Sequence, residues 1–117
     1  MPAAPSLRFR IRITRGDDIA VGPGKIALLE AIIDTGSITA AARKLGMSYR
    51  RAWLLADQMN RAFRSPVIEA ATGGRDGGGT LVTKTGQEVI RRYRSIEAIS
   101  TAAARAEIAG LLKLLRG

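Results

Sequence analysis

Apolar and polar residues change period several times along the chain, and each change marks an element. Leu7, Phe9, Ile11 and Ile13 alternate with Arg8, Arg10, Arg12 and Thr14. That period of two predicts a strand over Leu7 to Thr14, one face apolar and the other lined by arginine. The arginine face suits either a solvated edge guarded by charge or direct contact with phosphate. Arg15-Gly16-Asp17-Asp18 reads as a turn, and Ile19-Ala20-Val21 as the returning strand of a hairpin. Gly22-Pro23-Gly24 opens a helix, since proline is tolerated at the first helical position. Ile26, Leu28, Leu29, Ile32 and Ile33 make Lys25 to Asp34 apolar on most sides. This is the pattern of a central buried helix, ended by Thr35-Gly36.

Two short amphipathic helices come next. In the first, Ser37 to Leu45, Ile38, Ala41, Ala42 and Leu45 share one face. Gly46 falls where the chain must turn with positive φ. The second helix starts at Ser48 and runs from Tyr49 to about Phe63, before Pro66 forbids more helix. Ser37 and Ser48 suit N-caps, because each hydroxyl can accept a free backbone N–H. Ala52 and Leu55 can return to the core. Trp53, Ala56 and Met59 are expected to line the inward face, with Trp53, the only tryptophan, as a core anchor. Tyr49, Arg50 and Arg51 project from the first turn. A small-residue crossing, a glycine turn and a basic first turn in one register have the form of a DNA-reading helix-turn-helix. A plain helical hairpin with a solvated basic end is the alternative.

Val67-Ile68-Glu69-Ala70 and Thr80-Leu81-Val82-Thr83 predict two short strands. Between them, Thr72 to Gly79 is the only low-complexity stretch. Two strands with a glycine-rich tip directly after a recognition helix describe the wing of a winged helix, and Arg75 would reach a phosphate or the minor groove. A nucleotide-binding glycine loop would need a following Gly-Lys-Ser/Thr on a helix, and this loop runs into a strand. Thr85 and Glu88 fit a capping box for a long last helix, with Gly110 as a point of interruption. About 30 residues of helix would span ~45 Å, more than a domain this small can cover. Val89, Tyr93, Ile96, Ile99 and Ala103 therefore form a candidate dimerisation stripe, most simply against the same helix of a second copy. Packing on its own domain is the alternative. A membrane-surface helix fits less well, because Arg91, Arg92 and Arg94 lie away from the leucine-rich end.

Charge strengthens the nucleic-acid reading. The chain of 117 residues has 19 Lys and Arg against 10 Asp and Glu, a formal charge of +9. Such an excess suits a polyanion. There is no Cys and no His, which removes disulfides, thiolate chemistry, the commonest general base and the commonest zinc ligand. No acidic or lysine constellation stands out as catalytic, so neither an enzyme nor a cofactor is expected. The N-terminus lacks a signal-peptide core, and no run of ~18 apolar residues is present. A soluble cytoplasmic protein with no membrane partner is expected.

Several runs resemble the N-terminal DNA-binding domain of the ModE family of molybdate-responsive transcriptional regulators. They are Thr35-Gly36-Ser37-Ile38 through Ala41-Ala42, Leu45-Gly46-Met47-Ser48-Tyr49, Ala52-Trp53 and Met59-Asn60. Ala71-Thr72-Gly73-Gly74, Gly77-Gly78-Gly79, and Leu81-Val82-Thr83 with Gly86 complete the set. The resemblance covers roughly Leu7 to Ser100. Its most specific parts are the Ser-Tyr-x-x-Ala-Trp step and the Thr-Gly-Gly wing. LysR-type regulators share the Gly-Ser-Ile/Phe-Thr-x-Ala-Ala helix but lack this glycine run. The resemblance implies a winged helix-turn-helix homodimer on an inverted-repeat operator, dimerised through its last long helix. It implies that Ser37, Thr39, Ser48, Tyr49, Arg50 and Arg51 face DNA, together with Thr72 and Arg75 of the wing. Full-length members continue into an oxyanion-binding domain. This chain stops at Gly117, so a single-domain member without tight molybdate binding is expected.

The expected architecture is mainly α with small β. It has an N-terminal tail over 1–6, a winged helix-turn-helix over 7–83 and a C-terminal dimerisation helix over 84–117. The function expected is sequence-specific binding of double-stranded DNA. The alternative is an interaction module that docks through its last helix, with weak or no DNA binding.

Overall fold

The computed structural model describes residues 3–71 and 79–117. A β-hairpin of β1 (Ile13–Arg15) and β2 (Asp18–Val21) leads into α1 (Pro23–Thr35), α2 (Ile38–Leu45) and α3 (Tyr49–Ala62). A second hairpin, β3 (Ile68–Ala71) and β4 (Gly79–Val82), precedes α4 (Lys84–Ala103) and α5 (Arg105–Lys113). Both hairpins are antiparallel. In the second, Ile68 pairs with Val82 and Ala71 with Gly79. The result is a mainly helical winged helix-turn-helix with a long C-terminal helical segment.

Helix α1 is the centre. Pro23 sits in its first turn, and Gly36 ends it at φ 81°, a conformation that costs an L-residue strain. Ile26, Leu28, Leu29 and Ile32 are sealed from solvent. Ala41 and Ala42 of α2, Ala52, Ala56 and Met59 of α3, and Val67, Ile68 and Val82 close around them. The Gly36 carbonyl also accepts the Thr80 N–H at 2.9 Å, which ties the end of α1 to β4.

The N-terminal strand is shorter than its alternation predicts. Only Ile13 to Arg15 pair, and a bulge breaks the register between Ile13 and Thr14. β2 has four residues, so Leu7 to Arg12 have no ladder to join. Alternation describes which faces differ, but a strand needs a partner backbone. Ile11 still turns to the core, and its carbonyl accepts the Tyr93 hydroxyl at 2.8 Å.

The last helix starts and breaks where other residues were expected. Thr83, not Thr85, is the N-cap: its Oγ accepts the Gly86 N–H at 3.1 Å and donates to the Pro66 carbonyl at 2.7 Å. Gly86 is required there, since a Cβ would stand 2.4 Å from the Val67 carbonyl oxygen. The break comes at Ala104 (φ −99°, ψ 11°), while Gly110 lies inside α5. Arg94 ties α4 to α1 through a two-pronged contact with Glu30, at 2.6 and 3.2 Å. That contact, then Glu97, raises the Arg94 pKa above its ordinary value. The radius of gyration, 17.1 Å, exceeds the ~13 Å of a compact chain this long, because the C-terminal helices extend beyond the core.

Candidate nucleic-acid interface

The helix-turn-helix is fixed by short-range hydrogen bonds. Ser37 Oγ accepts the Ala40 N–H at 3.0 Å, and Ser48 Oγ accepts the Arg51 N–H at 3.1 Å. Gly46 adopts the left-handed conformation (φ 68°). Its N–H reaches the Arg43 carbonyl at 3.2 Å and the Met47 N–H reaches Ala42 at 3.0 Å, the two bonds of a Schellman turn.

Helix α3 then presents four faces. Ala52, Ala56 and Met59, spaced four and three apart, are buried. Arg50, Leu54 and Arg61 are exposed on the opposite side. Tyr49, Trp53 and Asn60 flank the wing hairpin along a cleft shared with Ile68, Glu69 and Thr80. Arg51, Leu55 and Gln58 flank the N-terminal segment. Tyr49 is 56% exposed, and Arg50, Arg51 and Ser48 are also exposed. At the start of α2, Thr39 is exposed and Ser37 half-buried. Ser37 thus sits at the N-terminus of α2, and Ser48, Tyr49, Arg50 and Arg51 at that of α3; helix N-termini favour anions. Thr72 and Arg75, with the wing tip between β3 and β4, lie outside the described residues.

No protein-family model matches the chain. Individual relatives do. The molybdenum-pterin-binding protein MopB of Rhodobacter capsulatus is 47% identical over 78 residues, which are 67% of this chain and 29% of MopB. The molybdenum transport protein ModE of Azotobacter vinelandii is 39% identical over 92 residues, 77% of this chain and 34% of that one. The DNA-binding transcriptional dual regulator ModE of Escherichia coli is 41% identical over 71 residues, 61% of this chain and 27% of its own. The chain is similar to the N-terminal DNA-binding domain of ModE. It spans only about a third or less of the length of these ModE and MopB relatives. A solved MarR family transcription regulator superposes with a TM-score of 0.57 at 20% identity, covering 80% of this chain and 66% of that one. At that identity the likeness concerns the winged-helix fold alone.

Within this ModE-like domain, Trp53 overturns a sequence expectation. It is 51% exposed rather than a core anchor. The buried stripe is Ala52, Ala56 and Met59, and Trp53, one position on from Ala52, lies about 100° round the helix, on the flank that lines the cleft with the wing hairpin. The rule that would have found it is that small residues four apart, not the largest residue, define the buried stripe. Asn60 was also missed as an anchor. Its Oδ1 accepts the Val67 and Ile68 N–H groups at 2.8 and 3.1 Å, and its Nδ2 donates to the Ile68 carbonyl at 2.9 Å. This clamp fixes the angle between α3 and the wing.

The dimerisation stripe divides. Tyr93 is buried against its own domain and Val89 packs on the same core, so these two do not belong to a free face. Ile96, Ile99 and Ala103 are exposed, Ile99 to 67%. Ala103 closes α4, and beyond it Leu111, Leu114 and Leu115 are exposed as well. Among the described residues no helix is long and apolar enough to cross a membrane. Nor does any cluster of three or more His, Cys, Asp or Glu there form a metal site.

Proposed function

We propose that this chain is a sequence-specific double-stranded DNA-binding transcriptional regulator that binds an inverted repeat as a homodimer. The observation that carries the reading is the outward face of α3. One short helix exposes two arginines, a tyrosine and the only tryptophan beside a capped N-terminus. Arginine forks read guanine edges, and aromatic or apolar groups can contact the thymine methyl. The helix fits the major groove, with Ser37 and Thr39 near the phosphates and the Thr72 to Arg75 region as wing. The names of the ModE relatives support regulation. The protein acts in the cytoplasm and catalyses no reaction.

The exposed Ile96, Ile99, Leu111, Leu114 and Leu115 support self-association. Two copies would set two recognition helices at a fixed spacing, which makes two weak half-site contacts one tight one. The same apolar surface supports the second reading, a module that docks another protein through α4 and α5. Selection of genomic fragments by the purified protein separates them. An inverted repeat with half-sites ~10 bp apart, or a multiple of that, is expected. Equal affinity for selected and random duplexes would refute the DNA-binding reading and favour docking.

We further propose that this domain by itself holds no molybdate tightly. MopB carries molybdenum-pterin binding in its name, but the shared part is 29% of its length. Calorimetry with molybdate should give no stoichiometric micromolar binding, and such binding would refute the proposal.

A further inference from the structure

We infer that an arginine-lined groove beside α3 is a second phosphate-binding surface, which grips the DNA backbone on the flank opposite the wing. The inference rests on the DNA-binding reading above and extends it to residues outside the helix-turn-helix. An open groove of about 910 Å³ lies between the N-terminal segment, the first hairpin and α3. Its cationic lining is Arg10, Arg12, Arg15, Lys25, Arg51 and Arg61, against the carboxylates of Asp17 and Asp18.

The alternation that failed to make a long strand builds this wall. Ile11 packs inward, and Tyr93 holds its carbonyl. Its neighbours Arg10 and Arg12 therefore both turn to the groove, as period two requires of extended backbone. The Arg12 Cγ lies where a Cβ on Gly22 would come within 3.3 Å, so the arm rests on the entrance to α1. Among the described residues, Arg10, Arg12, Arg15 and Arg51 form no ion pair, while Arg61 pairs with Asp57 at 2.8 Å. At the groove, Lys25 is 6% exposed and donates to the Ile19 carbonyl. Burial lowers its pKa and Asp18 opposes that shift. Cationic side chains that outnumber the two groove carboxylates, four of them outside any ion pair among the described residues, attract an anion.

Position identifies the anion. A helix in the ~12 Å major groove is bordered by a phosphate strand on each side. The wing flanks one side of α3 through Tyr49 and Trp53. The groove flanks the other through Arg51 and Gln58. Phosphate contacts position a protein without reading sequence, so the groove contributes affinity and register rather than specificity.

The test measures binding of the full chain to a selected duplex and a scrambled duplex across a salt series. The groove variant carries Arg10→Ala, Arg12→Ala and Arg15→Ala. A control removes equal charge from the C-terminal helices with Arg91→Ala, Arg92→Ala and Arg105→Ala. Each lost phosphate contact lowers the slope of log affinity against log salt by ~0.9. The groove variant should lose about two to three in that slope and keep its preference for the selected duplex. Hydroxyl-radical protection should vanish along one strand edge, and lysine at the three positions should restore the slope. A groove variant with the slope and footprint of the unmodified protein overturns the inference while DNA binding stands. If the unmodified protein shows no preference for the selected duplex, the DNA-binding reading fails and this inference fails with it.

Discussion

Helices α1 and α5 are both rich in leucine and isoleucine, yet α1 buries all of these but Ile33, which is 53% exposed, and α5 buries none. Ile26, Leu28 and Leu29 of α1 are wholly buried, with α2, α3, α4 and β4 packed around the helix. α5 buries no residue. Leu111 is 62% exposed, and Leu114, just past its end, 81%. Apolar content is therefore a capacity for burial, and a neighbour within reach decides whether it is used. The first hairpin, α2 and the wing strands fold back on α1 through short connections. α5 comes after 20 residues of α4 and has left the core behind. Exposed apolar side chains clustered on one segment are common at interaction sites, which is why self-association is proposed there.

The sharpest test of the contrast is Leu29→Ala against Leu114→Ala. The first should cost about 2–5 kcal/mol of folding stability, as lost burial and a cavity in a packed core add. The second should stay within ~0.5 kcal/mol for the isolated fold. Urea denaturation at low protein concentration reads both, and equal losses would break the distinction.

Replacing Ile96 and Ile99 with Asp sets charges in the proposed seam. We expect self-association to weaken by on the order of 2–4 kcal/mol, as central apolar contacts of an interface do. Sedimentation should show monomers and operator affinity should fall, with weak half-site contact surviving. An unchanged dimer would move the interface elsewhere.

Arg50→Ala and Arg51→Ala act on the opposite end of the molecule. Where the side chain meets a base, the loss should be ~1–3 kcal/mol and confined to particular operator positions. Binding across an operator library measures it, and a uniform loss for both would assign them to phosphate instead.

Thr83→Ala should have the smallest effect, ~1 kcal/mol, from loss of a helix cap. Its thermal melting should shift down, whereas Thr85→Ala should hardly move it. A larger loss at Thr85 would return the cap to the capping-box position.

The sequence by itself determined the elements whose causes lie within a few residues. Ser37 and Ser48 cap helices because their hydroxyls meet N–H groups three positions on. Gly46 turns left-handed because no Cβ opposes it. Proline and glycine punctuate α1, and β-rich runs flank the glycine stretch. What depended on distant neighbours was decided only by the tertiary structure. Trp53 is exposed because the face of α3 that folding buries is that of Ala52, Ala56 and Met59, and Trp53 lies beside it, toward the wing cleft. Leu7 to Arg12 form no strand because β2 is too short to pair with them. Tyr93, expected on a dimerisation stripe, is instead buried in its own domain, where the Ile11 carbonyl, 82 positions away, accepts its hydroxyl. A local signal fixes a backbone conformation, since its hydrogen bonds close within one turn. Which face of that element is buried depends on the volume and groups that folding brings against it, and those come from other parts of the chain.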